Sequence, residues 1–311
     1  MNFQQLRIIR ETVRQDFNLT TVANTLFTSQ PGVSKHIKDL EVELGIEIFV
    51  RRGKRLLGLT EPGKELLTVV ERILLDVQNA RSIADHFSNR ETGNLVIATT
   101  HTQARYALPE VIKIFKAAYP KVHLVLHQGS PREIAEMLTA GEADIAIATE
   151  WLNNVPEIAT FPYYSWYHAV IVPRDHPLTQ LSAPTLADIA DYPIITYHEG
   201  FTGRTNIDRS FAEAGLVPDI VLSAIDADVI KTYVGLGLGV GIVASVAYHP
   251  EQDRNLQLIE VPHLFPANTT HLAVRRGTYL RSYAHAFIEK VCPDLGEEAI
   301  RAALKPAAAA D

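Results

Sequence analysis

Apolar positions in the first sixty residues recur at helical spacing in three runs, after which the period shortens. Phe3, Leu6, Ile8, Ile9 and Val13 line one face of a helix expected over residues 2–16, with Asn2 placed to cap it. Residues 22–26 form a short second helix capped by Thr20 or Thr21, and Phe27-Thr28 makes a turn. The third run, Val33, Ile37, Leu40 and Leu44, is one buried stripe of a helix over residues 29–44. Ser29 is its N-cap, Pro31 fits a first turn that does not need its N–H, and Gly45 stands where a C-terminal cap belongs. Ile46, Ile48 and Phe49 then read as a strand, Arg51-Arg52-Gly53-Lys54-Arg55 as a basic turn, and residues 56–59 as the returning strand. Two helices joined by a short turn and followed by a two-stranded wing have winged helix-turn-helix spacing, the second helix being the recognition helix.

Thr60-Glu61-Pro62 opens a long helix over residues 60–88. Leu66, Val70, Ile73, Val77, Ala80, Ala84 and Phe87 alternate steps of four and three, a seam of three heptads. At 1.5 Å per residue it is roughly 40 Å long. That length favours pairing with a second copy of the chain; packing on its own N-terminal domain is the other use. Residues 89–93 are polar and unpatterned and read as a hinge.

From Asn94 short strands and helices alternate: strands over 95–99, 122–127 and 144–148, a helix over 103–118 restarted at Pro109, and a helix opened by the capping box Ser130-Pro131-Arg132-Glu133 and closed by Gly141. This βαβαβ run implies a parallel sheet with helices on its faces. A second unit has strands over 166–172, 193–197, 220–224, 240–243 and 256–261. Its helices span 204–214 and, capped by Asp226, 229–236. A strand over 272–274 and a helix over 280–291 close the chain, leaving residues 305–311 as a disordered tail. The fold expected is thus a winged helix-turn-helix domain (1–59), a linker helix (60–88), a hinge (89–93) and an α/β domain of two lobes (94–304). The first lobe takes about 94–161 and 268–292, the second about 162–267. Ligands of such folds bind in the cleft at the carboxyl ends of the strands.

The net charge of −7 argues against a protein that coats nucleic acid, but it is unevenly placed. Residues 1–60 carry nine Lys/Arg against six Asp/Glu, +3, leaving −10 for the rest. A positive module on an acidic body suits a local contact with DNA. On the polar side of the third helix lie Gln30, Ser34, Lys35 and Lys38, an amide, a hydroxyl and cations able to read base edges and hold phosphates. The wing tip adds Arg51, Arg52, Lys54 and Arg55, suited to phosphate or minor-groove contact. Cys292 is the only cysteine, which excludes an internal disulfide and a thiolate cluster. No signal segment and no run of 18 apolar residues is present, so a soluble cytoplasmic protein without a membrane partner is expected.

Three threonine-bearing loops mark the cleft: Thr99-Thr100-His101-Thr102-Gln103, Thr149-Glu150, and Gly200-Phe201-Thr202-Gly203-Arg204. The first and third each lie between a strand end and a helix start, where free N–H groups and the helix dipole hold an anion without a cation. The glycines of residues 235–241 lead from a helix into a strand, the wrong context for a nucleotide fingerprint, and read as a tight crossover. No histidine pair has metal spacing, no Gly-x-Ser-x-Gly elbow occurs, and no nucleophile, base and oxyanion hole can be assembled, so neither an enzyme nor a cofactor is expected.

The run Ala23, Ser29-Gln30-Pro31, Val33-Ser34, Leu40-Glu41, Leu44-Gly45-Ile46, Phe49, Arg51, Thr60 and Gly63 resembles LysR-type transcriptional regulators. Residues 99–106, 127–131, 148–150, 200–204 and 226–233 are similar to the CysB/Cbl subgroup, which controls sulfur assimilation. The resemblance implies a winged-helix domain contacting promoter DNA through Thr28, Ser29, Gln30, Pro31, Ser34, Lys35, Lys38, Arg51, Arg52, Lys54 and Arg55. It implies a dimerising linker, tetramers, contact with RNA polymerase and an effector domain like a periplasmic binding protein. The effector would be sulfate, thiosulfate, acetylserine or adenosine phosphosulfate, held by Thr100, Thr102, Gln103, Thr149 and Thr202 with Trp166 as a wall. The rival from another class is a solute receptor for a small oxyanion built on the same two lobes, which leaves residues 1–88 unexplained.

Overall fold

The computed structural model describes residues 1–53, 55–88, 92–201 and 203–305. Lys54, Thr202, residues 89–91 of the expected hinge and residues 306–311 of the expected tail lie outside them. The chain divides into two compact units, residues 1–85 and 86–311.

In the first unit α1 spans Phe3–Arg14, α2 Leu19–Thr25 and α3 Gln30–Leu44. Asn2 caps α1 reciprocally with Gln5, each side chain accepting the other's backbone N–H, at 3.0 and 2.9 Å. The cap of α2 is Asn18 instead of Thr20 or Thr21: its Oδ1 accepts both threonine N–H groups, at 3.1 and 3.2 Å. Ser29 Oγ accepts the Gly32 N–H at 3.2 Å, and Gly45 closes α3 at φ 69°. Val33, Ile37 and Leu40 are buried against Ile8, Ile9 and Val22, but Leu44 is 37% exposed. Ile46 and Ile48, which follow the left-handed turn at Gly45, join that core instead. Residues 46–48 are not strand: Glu41 Oε1 takes the Ile48 and Phe49 N–H groups at 3.0 and 3.3 Å, so the ladder starts only at β1, Phe49–Arg52, paired antiparallel with β2, Arg55–Leu59. Then α4 runs over Glu61–Ser88, with Thr60 Oγ1 accepting the Gly63 N–H at 3.0 Å. The start of the heptad seam, Leu66, Val70 and Ile73, packs with Leu6 of α1, its own N-terminal domain. Further along, Ala80, Ala84 and Phe87 are exposed.

The second unit holds two five-stranded sheets. Its elements in order are β3 (Gly93–Thr99), α5 (Pro109–Ala118), β4 (Val122–Gln128), α6 (Pro131–Ala140), β5 (Ile145–Thr149), β6 (Ile158–Trp166), β7 (His168–Pro173), α7 (Leu186–Ala190), β8 (Ile194–Tyr197), α8 (Arg204–Glu213), β9 (Ile220–Ala224), α9 (Ala227–Gly235), β10 (Val240–Ala244), β11 (Leu256–Glu260), β12 (Asn268–Arg275), α10 (Ser282–Val291) and α11 (Glu297–Ala303). The first sheet has the order β4-β3-β5-β12-β6 and the second β11-β7-β10-β8-β9. In each, three strands pair in parallel, one crossing strand, β12 or β7, runs antiparallel to them, and the edge strand beyond it, β6 or β11, pairs antiparallel with that strand.

Where residues 166–172 read as one strand, there are two, in different sheets. The boundary expected at residue 162 falls inside β6, and the lobes exchange at Tyr167 and across residues 261–267. Pro162 concealed β6, because a proline argues against a central strand; β6 is an edge strand with a bulge there, where no ladder donor is missed. Gly93, expected in the hinge, begins β3. The crossover at residues 235–241 is as tight as its glycines imply: a Cβ on Gly241 would lie 2.5 Å from Ile171 and one on Gly239 2.4 Å from the Pro193 carbonyl. Among the described residues no helix is long and apolar enough to cross a membrane.

Candidate functional site

Two regions gather the candidate residues, one in each unit. In the first, Ser29, Gln30, Pro31, Lys35 and Lys38 are exposed along the start and outer side of α3, with Thr28 and Ser34 half-buried beside them. On the wing, Arg51 Nη2 lies 2.7 Å from Glu41, so this arginine also ties the wing to α3. Arg52 and Arg55 are exposed and face each other in register across β1 and β2. Like charges in that relation repel, and an anion between them relieves the repulsion. Within the first unit an open cavity of about 750 Å³ lies between the start of α3 and the wing, lined by Arg14, Asn18, Thr20, Thr21, Gln30 and Arg55 among others. Phe27, read from the sequence as a plain turn residue, is 97% exposed at φ 50°, an aromatic ring presented beside the recognition helix. Lys54 lies outside the described residues.

In the second unit the site is built at the end of β3. Thr99 Oγ1 donates to the Ile147 carbonyl at 2.8 Å and fixes the strand end. The chain then enters a helical turn: Ala104 N–H bonds Thr100 O at 3.0 Å, and Leu108 N–H reaches back five residues to Gln103 O, also at 3.0 Å. Residues 103–107 are therefore a π-helical turn, and α5 restarts at Pro109. Thr100, Thr102 and Gln103 are all buried. Gln103 is anchored twice, accepting from the Tyr164 hydroxyl at 2.7 Å and donating to Thr270 Oγ1 at 3.1 Å. Trp166 Nε1 donates to the same Thr270 oxygen at 3.1 Å, and Thr270 lies in register with Thr149 at the end of β5. Thr270 thus draws Gln103, Trp166 and Thr149 to one place. The Thr100 and Thr102 hydroxyls, by contrast, are buried with no hydrogen-bond partner among the described residues. Such groups cost free energy until something supplies the bond.

The third loop comes from the other lobe. Thr202 lies outside the described residues; Gly203 and Arg204 beyond it are described. Gly203 has φ 69°, and a Cβ there would lie 2.6 Å from Asn268 Oδ1 and from His168 Cε1, so only glycine fits. Arg204, buried, donates to the Tyr197 carbonyl at 2.8 Å and pairs with Asp208 at 2.7 Å. Burial pushes the Tyr197 phenol up to about 12, moderated by the Ala244 N–H at 3.1 Å and by the nearby Thr102 hydroxyl, which approaches without completing a hydrogen bond. Asn268 and Thr270 escape sequence reading because buried polar residues break the apolar pattern, so that β12 reads as beginning at Leu272, and Tyr164 escapes it because it lies on β6, which Pro162 conceals.

The lobes touch at the same turn. Tyr106 donates to Asp228 Oδ1 at 2.6 Å and Arg105 pairs with Asp228 Oδ2 at 3.3 Å. Lys231 lies 3.2 Å from Asp228 and 3.1 Å from Asp253. Burial works to raise the Asp228 carboxyl, but the Tyr106 hydrogen bond and the Lys231 and Arg105 charges take it below the usual aspartate value. His101, Asp226 and Asp228 bring ligating atoms within 4.8 Å of one another. Asp226, as its position before a helix implied, caps α9 by accepting the Val229 N–H at 2.9 Å, and Asp228 is matched by two cations, so the group has little unspent charge for a metal ion.

Residues 3–64 match the family described as bacterial regulatory helix-turn-helix protein, lysR family, and residues 88–292 match the LysR substrate binding domain. The chain is 58% identical over 307 residues to the HTH-type transcriptional regulator SsuR of Burkholderia cenocepacia, covering 99% of this chain and 100% of that one. It is 58% identical over 301 residues to the HTH-type transcriptional regulator cbl of Escherichia coli, covering 97% and 95%. Among solved structures, the cofactor-binding domain of the Cbl transcriptional regulator superposes with a TM-score of 0.67 at 51% identity, covering 70% of this chain and 96% of that one.

Proposed function

The chain belongs to the LysR family of transcriptional regulators, and from that premise we propose that it controls sulfur-assimilation genes in answer to a small sulfur metabolite held between its two lobes. Proteins of this family bind promoter DNA and small-molecule effectors and form oligomers. For this chain the finer reading is a cytoplasmic regulator that pairs through the exposed part of α4, assembles as a tetramer and acts on RNA polymerase. Gln30 and Ser34 enter the major groove. Lys35, Lys38 and the wing arginines hold phosphates, and a dimer reading two half-sites calls for an operator of rough two-fold symmetry. A helix-turn-helix domain is what the solute-receptor reading leaves without a use.

The observation that carries the effector site is the pair of buried, unpartnered hydroxyls of Thr100 and Thr102 at a helix start. Oxygens of sulfate, thiosulfate, acetylserine or adenosine phosphosulfate would complete those bonds, with Gln103, Thr149 and Thr202 around them and Trp166 as a wall. Calorimetric titration of the whole chain with these four compounds, repeated on Thr102→Ala, tests it. Saturable binding of one compound, weakened by the substitution, supports the reading. Binding that the substitution leaves unchanged moves the site elsewhere.

A further inference from the structure

Tyr106 belongs to the first lobe by chain position and to the second by packing. It lies on the π-helical turn that follows Thr102, yet its ring packs against the core cluster of the second lobe that contains Tyr197, Ala227 and Ile230. Its hydroxyl reaches Asp228 on α9 at 2.6 Å, and the Lys231 ammonium stands 5.2 Å from its ring centroid. Arg105 adds an ion pair to the same carboxylate at 3.3 Å and a hydrogen bond to Gln252 at 3.4 Å. Lys231, buried, is held by the Ala247 carbonyl at 3.0 Å and by Asp253, so Asp228 faces a fixed cation instead of a mobile one. The effector residues and the interlobe residues therefore share one turn: Gln103 begins it and Tyr106 is its fourth residue.

We propose that Tyr106, Arg105 and Asp228 form an interlobe clasp that positions the π-helical turn for effector binding and carries effector occupancy to α9 of the second lobe. This rests on the effector site assigned above. A π turn closes its hydrogen bond over one residue more than an α turn, so an interchange between the two shifts every later residue in the turn relative to those before it. Bonds made to Thr100, Thr102 and Gln103 favour one arrangement of the turn, and that arrangement sets where Arg105 and Tyr106 meet Asp228. Coupling of this kind is reciprocal: whatever effector binding adds to the clasp, the clasp returns as effector affinity. The three are positioning residues that act through the turn and make no contact with the effector.

The experiment uses the whole chain as wild type, Tyr106→Phe, Asp228→Ala, the double variant, and Asp228→Glu as a conservative rescue. Each is titrated with sulfate, thiosulfate, acetylserine and adenosine phosphosulfate by calorimetry. Each is also followed by hydrogen exchange at saturating concentration of whichever compound binds the wild type. The loss of a hydrogen bond to a charged group should weaken binding about tenfold in either single variant. The double variant should be no weaker than the worse single one, because both changes remove the same link. Asp228→Glu should recover part of the loss. In the wild type the compound should slow exchange both at residues 100–108 and in α9; in Tyr106→Phe the first effect should remain and the second should vanish. A ligand that binds the wild type and still protects α9 in Tyr106→Phe, or losses that add in the double variant, would overturn the clasp. A wild type that binds none of the four compounds overturns the effector reading itself and the coupling with it.

Discussion

Gln103 Nε2 donates to Thr270 Oγ1 across 167 positions of sequence, at 3.1 Å, and joins the turn after the first strand of the lobe to the strand that returns last. Thr270 Oγ1 also receives the Trp166 indole N–H, so one hydroxyl oxygen answers two buried donors. Thr270→Val keeps the shape and removes that oxygen, leaving an amide and an indole N–H unpaired. The expected cost is about 2 kcal/mol of unfolding free energy, measured by urea denaturation. Effector affinity should fall as well, because Gln103 loses the partner that orients it. Thr270→Ser, which restores the oxygen, should recover most of both.

The wing offers a cleaner separation of stability from binding. Arg52 and Arg55 oppose each other in register, so neutralising one removes a repulsion that the free protein carries. Arg55→Ala should therefore leave the melting temperature unchanged or slightly raised. It should also weaken operator binding and lower the slope of log K against log salt by about one. Gln30→Ala should behave in the opposite way, keeping the salt slope while losing about 1–3 kcal/mol of discrimination at one base pair. Electrophoretic mobility shifts over a salt series distinguish the two, and equal slopes for both variants would assign Arg55 no phosphate.

Gly203 tests how closely the third loop is held. Gly203→Ala places a methyl group 2.6 Å from both Asn268 and His168 and asks an L-residue to keep φ 69°. The backbone conformation alone costs roughly 1–2 kcal/mol, and the contact adds to it. Thermal unfolding should show the loss. The effector titration should show weaker binding, since relief of the contact moves the loop that carries Thr202. A stable variant with ordinary affinity would mean that the loop yields without consequence.

What could be read from the sequence was what is local. Ser29 and Gly45 at the ends of α3, the Ser130–Glu133 capping box, Asp226 before α9 and the break at Pro109 are each decided by a few neighbouring residues, and each is where its residue type implies. Thr100, Thr102 and Gln103 stand at a strand end followed by a helix start, which is also a local pattern, and that placement is what proposes them as a ligand loop. The rest depends on distant partners. Thr270 and Asn268 are buried polar residues in β12, and periodicity registers burial only through apolar side chains. Tyr106 meets Asp228 across 122 positions, a pairing that no spacing rule contains. Asn18 shows a finer limit: Asn18, Thr20 and Thr21 are all capping types within four positions, and only the geometry selects the first.

Cys292 provides a pH-dependent reporter of the first lobe's core. It is buried beside α10, its thiol donates to the Pro162 carbonyl at 3.7 Å, and burial pushes it up to about 11 from an ordinary value of 9.0. The folded state therefore holds the proton more tightly than the unfolded state. Its contribution is fully present below pH 9 and is lost as pH rises from there towards 11. At pH 10 the loss should be about 1 kcal/mol relative to pH 8. Tyrosines with raised phenols, Tyr163 and Tyr164 among them, give slopes of the same sign, so the thiol's share is the difference between wild type and Cys292→Ala in urea unfolding at the two pH values. Alkylation by iodoacetamide at pH 8 should be slow in the folded chain and fast in urea, because the native thiol is both shielded and protonated. Fast labelling of the native protein would mean that the edge strand β6 opens over Cys292 far more readily than its pairing with β12 implies.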